Sequence, residues 1–292
     1  MSILRATIAL LLLLVVSQQA SAIADSESVR ESVLCDADAP MPLIAGSDST
    51  VGLNPHRITL LNWNVQKAND PALGADLEQL SNQADLVLLQ EAVLKNALDS
   101  DPGADIDPTQ LPFRFAAFAK GYSTAALVSG VMTLSTNEAS HHCAFIHVEP
   151  WLRSPKATSI AWFELQDTAQ SLLVINLHAV NFTVGSEDFE TQLQASADLI
   201  AAHAGPVVFA GDFNTWNEGR KAALLETSNS LGLQAVGFED DQRIRVLGYA
   251  LDHVLVRGLH VIESRALAIT SSDHNPLLVT LAVEYPRRAA PE

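Results

Sequence analysis

Basic residues are scarce in this sequence. Its 292 residues include 17 lysines and arginines against 34 aspartates and glutamates, which gives a formal net charge of −17 at neutral pH. Proteins that hold long polyanions by neutralising phosphates are usually basic on the binding face. The composition therefore argues against a purely electrostatic hold on long nucleic acid, although it is compatible with a local basic patch or a bridging cation.

Cysteine is nearly absent as well. Cys35 and Cys143 are the only two cysteines, which is the smallest even set. In an oxidising compartment they could form one disulfide that ties the N-terminal segment to the rest of the chain. Because the sequence does not show how close their Cα atoms come, free buried thiols are an equal alternative.

Long apolar runs are missing, except for one near the N-terminus. Ile8–Val16 is a nine-residue apolar run, Arg5 precedes it, and the small residues of Ala20–Ala22 follow it. This pattern is typical of a secretory signal peptide over residues 1–22, and the run is short for a membrane span. An uncleaved N-terminal anchor is the alternative. Both predict that the remaining chain leaves the cytoplasm for the periplasm or the medium, and cleavage predicts no stable membrane insertion.

The remaining chain has ample apolar content for a folded domain, since 48% of all residues are hydrophobic. Residues 23–55 are polar and are predicted to form an extension, and residues 56–286 are predicted to form one domain. Strand patterns outnumber helix patterns in it, and hairpins mix with strand–helix–strand units. This order predicts an α/β fold of mixed sheets with helices outside them. The predicted helices are Asp76–Gln83, Leu94–Leu98, Glu187–Ala202 and Glu218–Leu231. The predicted strands include Ile58–Asn64, Asp85–Gln90, Gly130–Ser135, Cys143–Glu149, Thr158–Leu165, Leu172–Val180, Leu251–Val256, His260–Ala268 and Leu277–Val283.

The segment Pro206–Trp216, PVVFAGDFNTW, has the pattern of a buried strand that ends in polar residues. Val207–Phe209 is apolar, Gly211 permits a tight backbone, and Asp212 and Asn214 follow two residues apart. Residues two apart on an extended chain point to the same side, so a carboxylate and a carboxamide project together. Asp212 can take a proton from water, and Asn214 can donate hydrogen bonds to charged oxygens. Taken alone, these residues also suit an ordinary turn.

Other predicted strands carry polar residues at matching ends. One such residue is ordinary, but a set of them at one end of many strands is hard to explain by turn chemistry. The set consists of Asn64, Glu91, His178, Asp212, Asn214, Asp252, Asp273 and His274.

Two residues of this set predict a metal site. Asn64 and Glu91 offer hard oxygen ligands, which suit Mg²⁺ or Mn²⁺ rather than zinc. Such a cation would polarise a phosphate ester and stabilise its leaving oxygen. The sequence therefore predicts a divalent cation, foremost Mg²⁺, beside the strand ends.

The other residues suit hydrolysis of a phosphate ester. Asp273 precedes His274 and is predicted to orient its imidazole through a hydrogen bond. Either His274 or Asp212 then serves as the base that takes a proton from water. His178 is predicted to neutralise or protonate a non-bridging oxygen, and Asn214 to stabilise the transition state.

Seven motifs occur in a fixed order between Arg57 and Val283: LNWNVQ, LLQE, SGVMTLS, NLHAVN, AGDFN, LDHV and SDHNP. A single motif such as SDH is a weak signal, but the joint order and spacing resemble the endonuclease/exonuclease/phosphatase superfamily, whose fold is DNase I-like. The longer segments HAVNFTVG, GPVVFAGDFN, DDQRIRVLGYALDHV and SSDHNPLLV most closely resemble a bacterial branch with mostly uncharacterised members.

The resemblance implies a four-layer α/β sandwich, in which two mixed β-sheets lie face to face between helices. It implies a Mg²⁺-dependent phosphoric ester hydrolase in which water attacks directly, without a covalent enzyme intermediate. We also expect the protein to be a monomer. By the same resemblance, Glu91 is the main metal ligand, Asn64 assists it, and Asp252 supports the site near the metal. His178 is implied to contact the scissile phosphate.

The substrate stays open at this point. The first hypothesis is an endonuclease-type phosphodiesterase, the second a hydrolase of small or lipid phosphoesters, and the third an inactive binding protein of the same fold. Several nucleases of the superfamily carry a tyrosine near the scissile phosphate, and the sequence does not assign that role to Tyr122. Four basic residues are candidates for a phosphate-binding rim, with ordinary surface pairing as an equal alternative: Arg153, Lys156, Arg243 and Arg245.

Overall fold

The computed structural model describes residues 41–44, 52–95, 106–124, 127–183 and 185–284. Within them the chain forms fifteen β-strands and three α-helices. The helices are α1 (Leu73–Ser81), α2 (Glu187–Ala202) and α3 (Glu218–Ser230), and short 3₁₀ turns lie at Gln66–Ala68 and Pro108–Gln110. None of the helices in this part of the chain has the length and apolar character that crossing a bilayer requires.

The strands, numbered in chain order, form two large sheets. The first has seven strands, in the order β1 (Met41–Ile44), β4 (Phe115–Ser123), β5 (Leu127–Ser135), β3 (Leu86–Lys95), β2 (Ile58–Asn64), β15 (Leu277–Val283) and β14 (Leu259–Ala266). The second has six, in the order β10 (Gln234–Ala235), β13 (Asp252–Arg257), β9 (Val207–Asp212), β8 (Ser171–His178), β7 (Pro155–Glu164) and β6 (His141–Val148). A separate ribbon joins β11 (Arg245–Val246) and β12 (Tyr249–Ala250). Both sheets are mixed, since β2 pairs parallel with β3 and β8 with β9, while the other neighbours are antiparallel.

Successive side chains of the central strands enter different apolar layers. Leu60 of β2 and Val208 of β9 belong to the core between the two sheets. Trp63, on the opposite face of β2, packs with Leu77 of α1. The outer face of β9 packs in the same way against α2 and α3. Since side chains alternate along a strand, this arrangement buries both faces of each sheet. It confirms the predicted four-layer sandwich.

The region around Glu91 differs from the prediction. The strand expected to stop before Glu91 continues as β3 to Lys95, with a register shift between Leu89 and Ala92. The predicted helix beginning at Leu94 is therefore wrong for its first two residues, and the others lie outside the described residues. An extra residue in one strand of a pair disturbs the alternation on which the sequence interpretation relied.

Strand β4 has no counterpart in the prediction. Its sequence, FAAFAKGYS, combines alanine, lysine and glycine, which have low strand propensity. It forms because β1 and β5 pair with it on either side and because its first five residues are buried. Tertiary contacts therefore decide the conformation here.

Two predictions fall outside the described residues. The signal peptide over residues 1–22 lies there, and so does Cys35, the predicted disulfide partner of Cys143. Cys143 itself is buried in β6. Cys143 is disulfide-bonded, whereas the signal peptide and the domain boundaries stay predictions.

Candidate active site

Strand ends from both sheets converge at one edge of the sandwich. Asp212 is the last residue of β9 and lies in register with His178 at the end of β8 and with Asp252 at the start of β13. Because β8 runs parallel to β9 and β13 runs antiparallel to it, all three residues lie at the same edge. Asn64 ends β2 in the facing sheet, and its Nδ2 donates to Asp212 Oδ2 over 3.0 Å. The site therefore spans the interface between the sheets.

Glu91 reaches this edge through a bulge. Its backbone φ is +52°, an uncommon value for a residue with a side chain, at the register shift in β3. Bulges often redirect a side chain beside an active site. The Glu91 carboxylate bonds to Lys67 Nζ at 2.5 Å through Oε2, and its Oε1 lies 3.9 Å from His178 Nε2. Glu91 is thus next to the site and partly open to solvent.

His274 is oriented by Asp252. Its Nδ1 lies 2.7 Å from Asp252 Oδ2, and its Nε2 lies 4.0 Å from Asp212 Oδ2. Asp273, the predicted partner, is exposed. The prediction that Asp273 orients His274 is therefore wrong. Neighbouring residues in a turn need not face one another, whereas the strand register brings Asp252 to the imidazole from 22 positions away.

The surroundings give Asp212 and His274 different protonation states at neutral pH. Burial, together with the nearby Asp252 carboxylate, raises the pKa of Asp212 to about 6, although His274 opposes the rise. Burial lowers the pKa of His274, but the carboxylates of Asp252, Asp212 and Asp273 together outweigh burial and raise this pKa to about 10. At neutral pH Asp212 is ionised and can accept a proton, while His274 holds a proton and can donate a hydrogen bond.

His178 lies on the other side of Asp212. Its Nε2 is 3.7 Å from Asp212 Oδ2 and 2.8 Å from the Lys156 ammonium. Burial, and the positive charge of Lys156, lower the pKa of His178 well below its usual value. A neutral imidazole accepts a hydrogen bond at one nitrogen only, so Lys156 donates to Nε2 and the proton of His178 lies on Nδ1. In this state the Nε2 that faces Asp212 has no proton to donate to a phosphate oxygen, so the contact of His178 with the scissile phosphate stays a prediction.

Asn214 is fixed directly behind Asp212. It is buried, with a φ of +49°, and its Nδ2 donates to the Ala179 carbonyl over 3.1 Å. Its backbone N–H donates to Asp212 Oδ1 over 2.9 Å. Asparagine tolerates this left-handed conformation better than most residues. The turn therefore orients the Asp212 carboxylate as well as the carboxamide.

A buried polar network below the site was missed by the sequence analysis. Gln90 Nε2 donates to Asn62 Oδ1 over 3.0 Å and to Asn176 Oδ1 over 2.7 Å. Asn176 in turn donates to the Met132 carbonyl over 3.0 Å. This network joins the two sheets. The alternation along strands could have revealed it, since Asn62 and Asn176 precede Asn64 and His178 by two positions and so point to the same sides.

The residues present fit a divalent cation. Asp212, Asp252 and His274 each place a potential ligand atom within 4.8 Å of the others. Asp252 Oδ1 is buried and has no hydrogen-bond partner among the described residues. Because Asp252 engages Nδ1 of His274 and Nε2 carries a proton at neutral pH, the available donors are oxygens, and oxygen donors select hard cations. A bound cation would also satisfy the unpaired carboxylate oxygen.

Of the four basic residues proposed for a phosphate-binding rim, one reaches the site directly. Lys156 contacts His178, and Tyr122 lies with it in the wall of the same cavity. Arg243 and Arg245 both bind Asp241, at 2.8 Å and 2.5 Å. For these two arginines the structure shows the alternative of pairing with a neighbouring carboxylate.

Comparison with known proteins connects this chain to one family. The Endonuclease/Exonuclease/phosphatase family profile matches residues 61–274. A UPF0294 protein of Vibrio parahaemolyticus is 38% identical over 227 residues, covering 77% of this chain and 78% of that protein. A UPF0294 protein of Vibrio vulnificus is 40% identical over 231 residues, covering 78% of each. A solved endonuclease/exonuclease/phosphatase structure from Beutenbergia cavernae has a TM-score of 0.63 at 14% identity, covering 78% of this chain and 72% of that one, which bears on the fold alone.

Proposed function

Because this chain belongs to the endonuclease/exonuclease/phosphatase family, we propose that it is a Mg²⁺-dependent phosphodiesterase. Family membership supports a metal-dependent phosphoester hydrolase in general. The finer proposal is endonuclease-type cleavage of a phosphodiester by direct attack of water. The observation that carries it is the cluster of Asp212, His274 and Asp252, in which a buried carboxylate faces an imidazole held by a second carboxylate.

In this proposal Asp212 accepts the proton. Its Oδ2 lies between the imidazoles of His178 and His274, at 3.7 Å and 4.0 Å. A water placed there can give its proton to Asp212 as it attacks phosphorus. His274 donates a hydrogen bond from Nε2 to a phosphate oxygen, and Asn214 adds a neutral donor.

Glu91, Asn64 and Asp252 would hold the cation in this proposal. A bound divalent cation polarises the phosphate and stabilises the leaving oxygen. Glu91 contributes an accessible carboxylate, and Asp252 contributes the buried oxygen that lacks a hydrogen-bond partner among the described residues. Mn²⁺ can replace Mg²⁺ at such oxygen donors.

A second candidate function is hydrolysis of small or lipid phosphoesters. The net charge of −17 favours it, since a strongly acidic protein repels long polyanions. We also propose export of the protein, on the strength of the N-terminal pattern over residues 1–22, and activity as a monomer outside the cytoplasm.

The test is a metal-dependent assay of the purified protein. Plasmid DNA, RNA, bis-p-nitrophenyl phosphate and sphingomyelin are each incubated with Mg²⁺, with Mn²⁺ and with EDTA. We expect cleavage of a phosphodiester that EDTA abolishes and Mg²⁺ restores. Replacement of Asp212, His274 or Glu91 by alanine should lower kcat by at least about 10²-fold, because each removes a group used in the reaction.

Asp198→Ala is the matched control, since it removes an exposed carboxylate on α2 that accepts a hydrogen bond from the Gln194 side chain. It should keep the activity of the unmodified protein, and all variants should keep its circular dichroism spectrum. Cleavage confined to bis-p-nitrophenyl phosphate or sphingomyelin would establish the second candidate. Absence of cleavage of all four substrates, or full activity in Asp212→Ala, would overturn the proposed function.

A further inference from the structure

Two lysines lie together beside the candidate active site. The sequence contains five lysines, which are Lys67, Lys95, Lys120, Lys156 and Lys221. Lys67 and Lys156 line one cavity of about 190 Å³, which has room for several waters and hence for a phosphate-sized group. Because the protein is so acidic, the presence of two lysines in one cavity needs a specific explanation.

Several side-chain hydrogen-bond donors line the cavity. Besides the two ammonium groups, the hydroxyl-bearing residues Tyr122, Ser129 and Ser154 contribute to its walls. Glu91 is the only carboxylate among the described residues that line it, and Lys67 already neutralises that carboxylate at 2.5 Å. Ammonium and hydroxyl donors suit an anionic oxygen group.

The cavity adjoins the catalytic cluster without coinciding with it. His178 and Glu91 border it, whereas Asp212, Asp252 and His274 are not among its lining residues. A phosphate that Asp212 and His274 act on would therefore lie beside the cavity, with His178 and Glu91 bordering both. Lys156 Nζ lies 2.8 Å from the same His178 Nε2 that lies 3.7 Å from Asp212 Oδ2.

We propose that this cavity binds a second anionic group of the substrate, a phosphomonoester next to the bond that is cleaved. This inference rests on the proposed function and narrows its substrate class to phosphodiesters that carry a terminal phosphate. Lys156 and Lys67 are then specificity-determining residues. The terminal phosphate can lie on the 5′ or the 3′ side of the scissile bond, because its chemistry is the same in both.

The other basic cavity at this edge does not serve this purpose equally well. Arg243 and Arg245 both line it, but Asp241 binds the two guanidinium groups and neutralises one of their charges. The lysine cavity also has one of its cations, Lys67, paired with a carboxylate, but unlike the arginine cavity it is bordered by two residues of the site, His178 and Glu91.

The experiment compares three substrates that differ by one phosphate. These are thymidylyl-thymidine, its 5′-phosphorylated form and its 3′-phosphorylated form, assayed with Mg²⁺ for kcat and KM. We expect kcat/KM for one phosphorylated form to exceed kcat/KM for unphosphorylated thymidylyl-thymidine at least about tenfold, as a charge-assisted contact implies. The ratio should fall towards one in Lys156→Met and in Lys67→Met. Lys221→Met, which alters a lysine on α3 over the Tyr249 ring, should leave the ratio unchanged.

Equilibrium binding separates this inference from the proposed function. The His274→Ala variant should bind the preferred phosphorylated dinucleotide at least about tenfold more tightly than it binds unphosphorylated thymidylyl-thymidine. The double variant His274→Ala/Lys156→Met should bind the two dinucleotides equally. Equal binding of all three dinucleotides overturns the inference even if the protein cleaves DNA. Equal losses on all three substrates in Lys156→Met also overturn it, since the lysine then acts on the scissile phosphate. Selective binding without cleavage supports the cavity and overturns only the proposed activity.

Discussion

At the scale of single residues, two neighbouring aspartates have different surroundings. Asp212 and Asp252 lie in register on adjacent strands, yet only Asp252 forms the 2.7 Å bond to His274 Nδ1. Asp212 instead accepts from Asn64 and from the backbone of Asn214. Burial holds the pKa of Asp212 near 6 and the carboxylates hold that of His274 near 10. One aspartate is thus placed to accept a proton and the other to keep an imidazole charged and oriented.

Asp252→Asn should lower kcat by about 10²- to 10⁴-fold, because the imidazole of His274 loses its charged partner. Asp273→Asn should lower kcat by about tenfold or less, since Asp273 is exposed and does not orient the imidazole. Steady-state kinetics of both variants with saturating Mg²⁺ make the comparison, and NMR titration should show a larger fall in the pKa of His274 in Asp252→Asn than in Asp273→Asn, because Asp252 raises that pKa more. A larger loss in Asp273→Asn than in Asp252→Asn would contradict this assignment.

At the scale of elements, the position of Asp212 depends on how closely β8 approaches β9. Gly211 has a φ of +147°, and a Cβ atom there would lie 1.9 Å from the Leu177 carbonyl oxygen. Both features require glycine at this position. The same strand pair places His178 opposite Asp212 in register. Stability and site geometry are therefore linked at one residue.

Gly211→Ala should lower the free energy of unfolding by about 3 kcal/mol or more, since overpacking costs roughly 1–3 kcal/mol and positive-φ strain adds a similar amount. Urea unfolding measures the change, and activity should fall with it. Gly74→Ala is the control, because that helical glycine has no atom within 4 Å of the added Cβ. It should leave stability unchanged or raise it by up to about 1 kcal/mol. Equal stability of the two variants would show that β8 and β9 can separate freely.

At the scale of the whole molecule, the net negative charge disfavours the binding of long polyanions. The chain carries a net charge of −17, while the cavity beside His178 holds two lysines. Short-range contacts in that cavity are screened little by salt, whereas repulsion between the acidic surface and a long nucleic acid is screened strongly. Substrate length should therefore change the salt dependence.

The ratio of kcat/KM on long duplex DNA to kcat/KM on a dinucleotide should rise with ionic strength. Between about 0.01 M and about 0.15 M salt the screening length falls from ~30 Å to ~8 Å, so the repulsion of the longer substrate is reduced. Initial rates at fixed Mg²⁺ and varied KCl measure the ratio. A steep fall with salt, as counterion release from phosphate contacts produces, would reveal a basic groove that the net charge conceals.

The sequence determined the fold class and most of the residues of the site. Alternation along strands predicted the apolar faces, and three elements agree with the prediction at both ends: β2, α2 and β15. The strand patterns also predicted Asn64, His178 and Asp212 at strand ends, where the structure has them. These properties depend on the local geometry of an extended chain, which a sequence specifies directly.

Only the tertiary structure decided which distant residues meet. The partner of His274 is Asp252 rather than the adjacent Asp273, because strand register and not chain proximity sets that contact. The bulge at Glu91 and the pairing of Lys156 with His178 likewise depend on packing between strands. A local pattern fixes the side to which a residue points, but the partner found there is fixed by the packing of the two sheets.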